Sequence, residues 1–128
     1  MNGTLRKAFA TATLVVMLGL AAACARAGEG FVTGIDGLPL MPGLVESAGE
    51  GMVFDAPSGR IVEAYASGAV ARERVLEFYA STLPQLGWRR HSETKYSREE
   101  EVLRLELSNA GAELRLRFSL SPTAASRP

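Results

Sequence analysis

Residues 102–120 read VLRLELSNAGAELRLRFSL. Leu103, Leu105 and Leu107 alternate with Arg104 and Glu106. Leu114, Leu116, Phe118 and Leu120 alternate with Arg115, Arg117 and Ser119. Strand side chains point to opposite faces with a period of two, so this pattern places leucines on a core and charges in water. That is the signature of a half-buried antiparallel pair. A two-residue loop at Ala110-Gly111 sets Leu107 opposite Leu114, Leu105 opposite Leu116 and Leu103 opposite Phe118. The same register pairs Glu106 with Arg115 and opposes Arg104 to Arg117, a repulsion that Glu106 relieves diagonally. A slip of one residue would turn the leucines outward, so burial of one face holds the pairing.

Upstream of this pair the period changes. Val75, Tyr79, Leu83 and Leu86 recur at spacings of three and four, with Leu76 beside them, which predicts an amphipathic helix. Ser67-Gly68 begins it, with the Ser67 hydroxyl accepting from a free first-turn N–H. Pro84 removes a backbone donor, so the regular helix ends or kinks near Thr82-Leu83. Gly87 caps it and Trp88 starts the next strand. Between that helix and the leucine pair, Trp88–Ser92 and Lys95–Arg98 read as two short strands around Ser92-Glu93-Thr94. Before the helix, Met52-Val53-Phe54, the turn Ala56-Pro57-Ser58-Gly59 and a strand over Arg60–Ala66 predict a hairpin. Ile61, Glu63 and Tyr65 share one face of that strand, and Val62, Ala64 and Ala66 the other.

These elements define an α+β fold. One helix packs on an antiparallel sheet of about four to five strands, in a ββαβββ-like order. The predicted domain spans residues 51–121, with a frayed tail over 122–128. Residues 28–50 precede it as an ordered Gly/Pro-rich arm. They carry Phe31, Val32, Ile35, Leu38, Leu40, Met41, Leu44 and Val45, more apolar surface than a disordered linker holds. The arm either covers the domain's own sheet or offers Leu38, Leu40, Met41 and Leu44 to a partner.

The first 27 residues have a different character. Arg6 and Lys7 precede an apolar run, Ala8 to Ala23, and then small residues, the layout of a cleaved secretory signal peptide. The run falls short of the ~20 residues of a membrane span. Ala25-Arg26-Ala27 suits ordinary signal peptidase, with Gly28 as the new N-terminus. Leu20-Ala21-Ala22-Ala23-Cys24 resembles a bacterial lipobox, in which Cys24 would be lipidated, although Leu20 lies one place further from the cysteine than that pattern prefers. The expected location is the periplasm, with a membrane-anchored lipoprotein as the alternative. Contact with the membrane would come only through the signal peptide or a lipid on Cys24.

The full chain has 14 basic and 14 acidic residues. Cleavage before Gly28 removes Arg6, Lys7 and Arg26 and leaves 11 basic against 14 acidic, a balance of −3. A mildly acidic domain is a poor general ligand for nucleic acid, and no nucleic-acid partner is expected. Cys24 is the sole cysteine, so the mature part has no disulfide, thiol nucleophile or thiolate metal site.

No residue pattern reaches a catalytic, metal or cofactor site. His91 is the lone histidine, flanked by Arg89 and Arg90, whereas a metal site wants three or four ligands and a general base wants an orienting group. Glu99-Glu100-Glu101 reads as a solvated turn. Arg89, Arg90, Arg104, Arg115 and Arg117 interleave with Glu93, Glu106 and Glu113, which predicts a salt-bridged surface. Gly34-Ile35-Asp36-Gly37 precedes no helix at phosphate-loop spacing.

The string Phe78-Tyr79, Leu83-Pro84 and Leu86-Gly87-Trp88 resembles a helix-to-strand module of small proteobacterial envelope proteins of uncharacterised function. Leu38-Pro39-Leu40-Met41-Pro42-Gly43-Leu44 and Gly59–Tyr65 resemble two further signatures of that group. The resemblance implies an exported α+β domain and carries no activity, cofactor or site residue. The expected function is that of a non-catalytic binding or accessory protein of the envelope, acting on another envelope protein through the arm or the outer sheet face. Two alternatives stand beside it: a lipoprotein anchored through Cys24 in envelope assembly, and a small hydrolase or ligand carrier using His91.

Overall fold

The computed structural model describes residues 30–126. The leader, both processing readings and Cys24 lie outside the described residues. Eight regular elements follow one another: β1 (Val45–Glu46), β2 (Met52–Ala56), β3 (Gly59–Gly68), α1 (Arg72–Thr82), β4 (Arg89–Ser92), β5 (Lys95–Arg98), β6 (Glu101–Ala110) and β7 (Glu113–Pro122). All strands join one antiparallel sheet in the order β1-β3-β7-β6-β5-β4, with β2 also on β3. The α+β class expected from the sequence is present, but the sheet has seven strands instead of four or five. The excess lies in the short pieces. β4 and β5 are separate strands, and one edge line is split into β1 and β2.

The leucine hairpin forms with a register two residues away from the expected one. Leu107 faces Leu116, Leu105 faces Phe118 and Leu103 faces Leu120, while Ala110 faces Glu113. The loop is therefore Gly111-Ala112, not Ala110-Gly111. Gly111 has φ 65°, whereas Ala112 beside it is not in the left-handed half of the map. A turn with positive φ only at its first central residue is type II′, which wants glycine there. The alternative loop would put Ala110 at that position. A shift of two leaves every leucine on its face, so only the turn decides. Glu106 now meets Arg117, Arg104 meets Ser119, and the expected arginine opposition does not arise.

β3 runs through Ser67-Gly68, which therefore does not start the helix. Gly68 pairs with Leu114, and a Cβ on it would lie 2.0 Å from the Gly43 carbonyl oxygen. The missing side chain lets the arm pass directly against the end of β3. The helix instead follows Ala71, which has no side-chain cap; its carbonyl receives the Arg74 and Val75 N–H groups.

The helix ends as its sequence dictates. After Thr82 the chain tightens into a 3-10 turn at Pro84–Leu86, and Gly87 at φ 91° closes it. The Trp88 N–H reaches back to the Leu83 carbonyl at 3.1 Å, a Schellman-type closure. Val75, Tyr79 and Leu83 are fully buried, but Leu86 is 41% exposed. The tighter turn rotates Leu86 off the apolar stripe that it was expected to continue.

The arm closes the fold. Val32, Ile35, Leu38, Leu40, Met41 and Leu44 share one core with the helix, Trp88, Tyr96 and the inward residues of β3, β6 and β7. Leu38, Leu40, Met41 and Leu44 are at most 9% exposed, so they are spent on this core and not displayed to a partner. The Tyr79 side chain ties the arm to the helix. The Tyr79 hydroxyl donates to the Pro39 carbonyl at 2.9 Å and accepts from the Met41 N–H at 3.2 Å. Burial raises the Tyr79 pKa, and the Met41 N–H partly offsets this.

The predicted tail begins too early. β7 continues to the buried Pro122, and a 3-10 turn spans Thr123–Ser126 with the Thr123 N–H on the Glu100 carbonyl at 2.7 Å. Pro122 pairs with Glu101 in β6 and lies past the paired residues of β3, where its missing N–H leaves no ladder bond unmade.

Candidate functional site

The arm and helix cover one face of the sheet. The other face is built by the residues that alternate with buried Val62, Ala64 and Ala66: Ile61, Glu63, Tyr65 and Ser67 on β3, and their neighbours across the sheet. Its centre is ionic. Arg117 bridges Glu63 and Glu106, the latter at 2.7 Å, and Arg115 meets Glu50 at 2.5 Å while its guanidinium lies 4.8 Å from the Tyr65 ring centre. The hydrogen bond that Arg117 donates to Glu63, then the one it donates to Glu106, raises its pKa. Two of the five predicted arginines thus enter ion pairs, but with Glu50, Glu63 and Glu106. Of the glutamates expected from the sequence, Glu106 alone takes part among the described residues, because strand register and not sequence proximity chooses partners.

Toward the β1/β2 side the surface becomes apolar. Val45, Met52, Val53 and Phe54 are each about half exposed or more, as is Phe31 at the start of the arm. β1 and β2 run in the same direction along β3, opposite Ser67-Ala66 and Glu63–Gly59. Between them the chain leaves the sheet at Ala48–Gly51, after the Ser47 N–H bonds the Tyr65 carbonyl at 2.7 Å. This excursion opens a cleft of about 430 Å³ lined by Thr33, Glu46, Ser47, Met52, Val53 and Glu63 among others. Glu46 fixes its rim: its carboxylate accepts from the Thr33 N–H and hydroxyl, both at 3.0 Å. The sequence did not single out this patch. Met52-Val53-Phe54 read as an ordinary strand, and nothing local says that the strand lies at an edge.

His91 lies on β4, exposed, with Nε2 2.6 Å from the Ser97 hydroxyl. A serine hydroxyl on a histidine ring nitrogen is one contact that a nucleophile–base pair requires. No carboxylate is paired with the other ring nitrogen among the described contacts, and none of the clefts described here is lined by His91. Glu99 and Glu100 occupy an exposed turn in which Glu99 has φ 55°, and Glu101 starts β6. Among the described residues no group of three His, Cys, Asp or Glu side chains could hold a metal ion. Among them, too, no helix is long and apolar enough to cross a membrane.

Two further depressions lie elsewhere. One of about 520 Å³ lies between Met41-Pro42 and the helix residues Arg74, Glu77, Phe78, Ser81 and Thr82. Another, of about 390 Å³, is framed by Ser58, Glu99, Glu100 and Pro122–Ala124. Hydroxyl and carboxylate side chains line both, but among the described contacts none of these hydroxyls is hydrogen-bonded to one of these carboxylates. Arg98 serves the core edge: it stacks 4.3 Å from the Trp88 ring centre and donates to the Leu86 and Asp36 carbonyls, both at 3.3 Å. Comparison with known proteins returned no matching family model, no matching curated protein and no matching solved structure.

Proposed function

We propose that the chain is an exported, non-catalytic accessory protein of the bacterial envelope that binds another envelope protein through the β1/β2 side of its sheet. The observation that carries this reading is the half-exposed apolar side chains Val45, Met52, Val53 and Phe54 on β1 and β2, of which Met52 and Val53 line the 430 Å³ cleft. Exposed apolar side chains gathered at one sheet edge are characteristic of protein contact sites. The leader-like layout of residues 1–27, and the resemblance of the Phe78–Trp88 module to small envelope proteins, support export and the envelope setting. The buried arm leaves the outer face to do the binding that the arm residues were first expected to do.

A photo-crosslinking residue at Met52 in intact cells tests the contact. The expected result is one discrete adduct with an envelope protein, lost on Val45→Asp. Absence of any adduct to another protein at Met52 and at Phe31 would count decisively against it. Mass analysis of the mature N-terminus tests export: Gly28 at the end supports a freely exported form, a lipid-modified Cys24 supports the tethered lipoprotein, and an intact Met1 refutes both.

A further inference from the structure

The two edges of the sheet are built differently. β4 carries exposed Arg89 and Arg90, and its register breaks between Arg90 and Ser92. Charge and a bulge are the usual means by which an edge strand is kept from pairing with another chain. β2 at the opposite edge has no bulge and a single charge, Asp55. Its sequence is Met-Val-Phe-Asp-Ala, with no basic residue or proline inside, and its ladder to β3 is regular from Met52↔Glu63 to Ala56↔Gly59.

The pairing also fixes which backbone groups of β2 are free. The loop between β2 and β3 is the two residues Pro57-Ser58, so the closing pair Ala56↔Gly59 exchanges hydrogen bonds. Antiparallel pairs alternate, so Phe54 and Met52 also bond to β3. Val53 and Asp55 turn their N–H and C=O groups to the open edge.

From this we infer that β2 pairs with β2 of a second copy of the chain, antiparallel, about a two-fold axis at Phe54. In this register Val53 of each copy faces Asp55 of the other. Both are the residues with outward groups, so each such pair can exchange two backbone hydrogen bonds. The two Phe54 rings then fall in the closer, non-bonded type of pair, where aromatic contacts are favourable. Met52 faces the small Ala56, and Asp55 is set opposite an uncharged valine, so no like charges oppose. The next outward pair would join Gly51 to Pro57, which has no N–H, and the ladder stops there. The strand is thus self-complementary in hydrogen bonding, in charge and in length.

The inference rests on the reading of this edge as a contact surface. Its test is native hydrogen exchange and sedimentation of the protein expressed from its full reading frame, over about 1–500 µM, a range that spans the affinities of small interfaces. Twice the monomer mass is expected at the upper end. The Val53 and Asp55 amides should gain at least tenfold protection with concentration, while the Phe54 amide stays protected throughout. Val53→Pro removes an outward donor without touching a bond to β3, and should weaken association at least tenfold with an unchanged thermal midpoint at the lowest concentration, where the parent is monomeric too. A monomer at every concentration, or Val53 and Asp55 amides that exchange freely at every concentration, overturns the pairing. So does a dimer that Val53→Pro leaves intact. A monomer that still crosslinks a different envelope protein at Met52 rejects the two-fold pairing and keeps the accessory function. A dimer without such an adduct does the reverse.

Discussion

Tyr79→Phe removes one oxygen atom and tests how the arm is held. The ring keeps its edge-on contacts with Phe78 at 4.9 Å and Phe118 at 5.7 Å, so packing is preserved. What is lost is a donor to the Pro39 carbonyl and an acceptor for the Met41 N–H. A net hydrogen bond contributes about 1 kcal/mol, and a buried group left without a partner costs about 1–3 kcal/mol. Pro39 is half-buried, so water can partly replace the hydroxyl there, whereas the bond to the Met41 N–H is buried. The larger share therefore falls on Met41, and the expected total is about 2–3 kcal/mol. A domain of this size has about 5–15 kcal/mol of stability, and a loss of this order lowers its thermal midpoint by roughly 10–20 °C. Urea unfolding should show the midpoint falling with the slope unchanged. Hydrogen exchange should show the Met41 amide among the first to lose protection. A loss below about 0.5 kcal/mol, the scatter of neutral surface changes, would refute the idea that this hydroxyl fastens the arm.

Three further outcomes follow from the same geometry. Gly68→Ala places a methyl group on the Gly43 carbonyl, and is expected to cost more than about 3 kcal/mol or to prevent folding; a circular-dichroism melt within a few degrees of the parent contradicts this. Gly111→Ala meets no atom within 4 Å, so only the positive φ is penalised, and urea unfolding should give about 1–2 kcal/mol. Burial raises the pKa of Tyr79, and also that of Tyr96, where Arg90 partly offsets it. The unfolded chain loses these protons near pH 10 while the folded one keeps them. Stability is therefore fully present below about pH 10 and falls as pH rises above it, by up to about 1.4 kcal/mol per unit for each tyrosine. Urea midpoints between pH 9 and 11 read this slope directly, and Tyr79→Phe should lessen it.

The two long strands and the helix terminus were legible because each rests on local chemistry. Alternating leucines require one buried face, and Leu-Pro followed by Gly-Trp requires a stop and a turn. Register was less legible. Alternation fixes it only to within an even number of residues, and the choice between the two loops needed the one torsion that glycine alone takes cheaply. Ser67 is a good helix cap by type, yet it lies in a strand whose partner, Arg115, is distant in sequence. The apolar arm could be recognised as ordered, but whether it met its own sheet depended on Tyr79, whose hydroxyl reaches it from the helix. The exposed edge patch had no local signature at all. Met52, Val53 and Phe54 are as apolar as the buried strands, and only the strand order leaves them outside.

The bond from Tyr79 to Pro39 closes a loop of 40 residues. Joining such distant points costs about 3 kcal/mol of chain entropy before any contact is gained, whereas the hairpins of the sheet form at short range. The arm is thus expected to dock after the hairpins have formed. Tyr79→Phe should then accelerate unfolding and leave the folding rate nearly unchanged, the kinetic mark of a contact absent from the transition state. Until the arm docks, the apolar face of the sheet and helix is left open, and the arm acts as the protein's own built-in chaperone for that face.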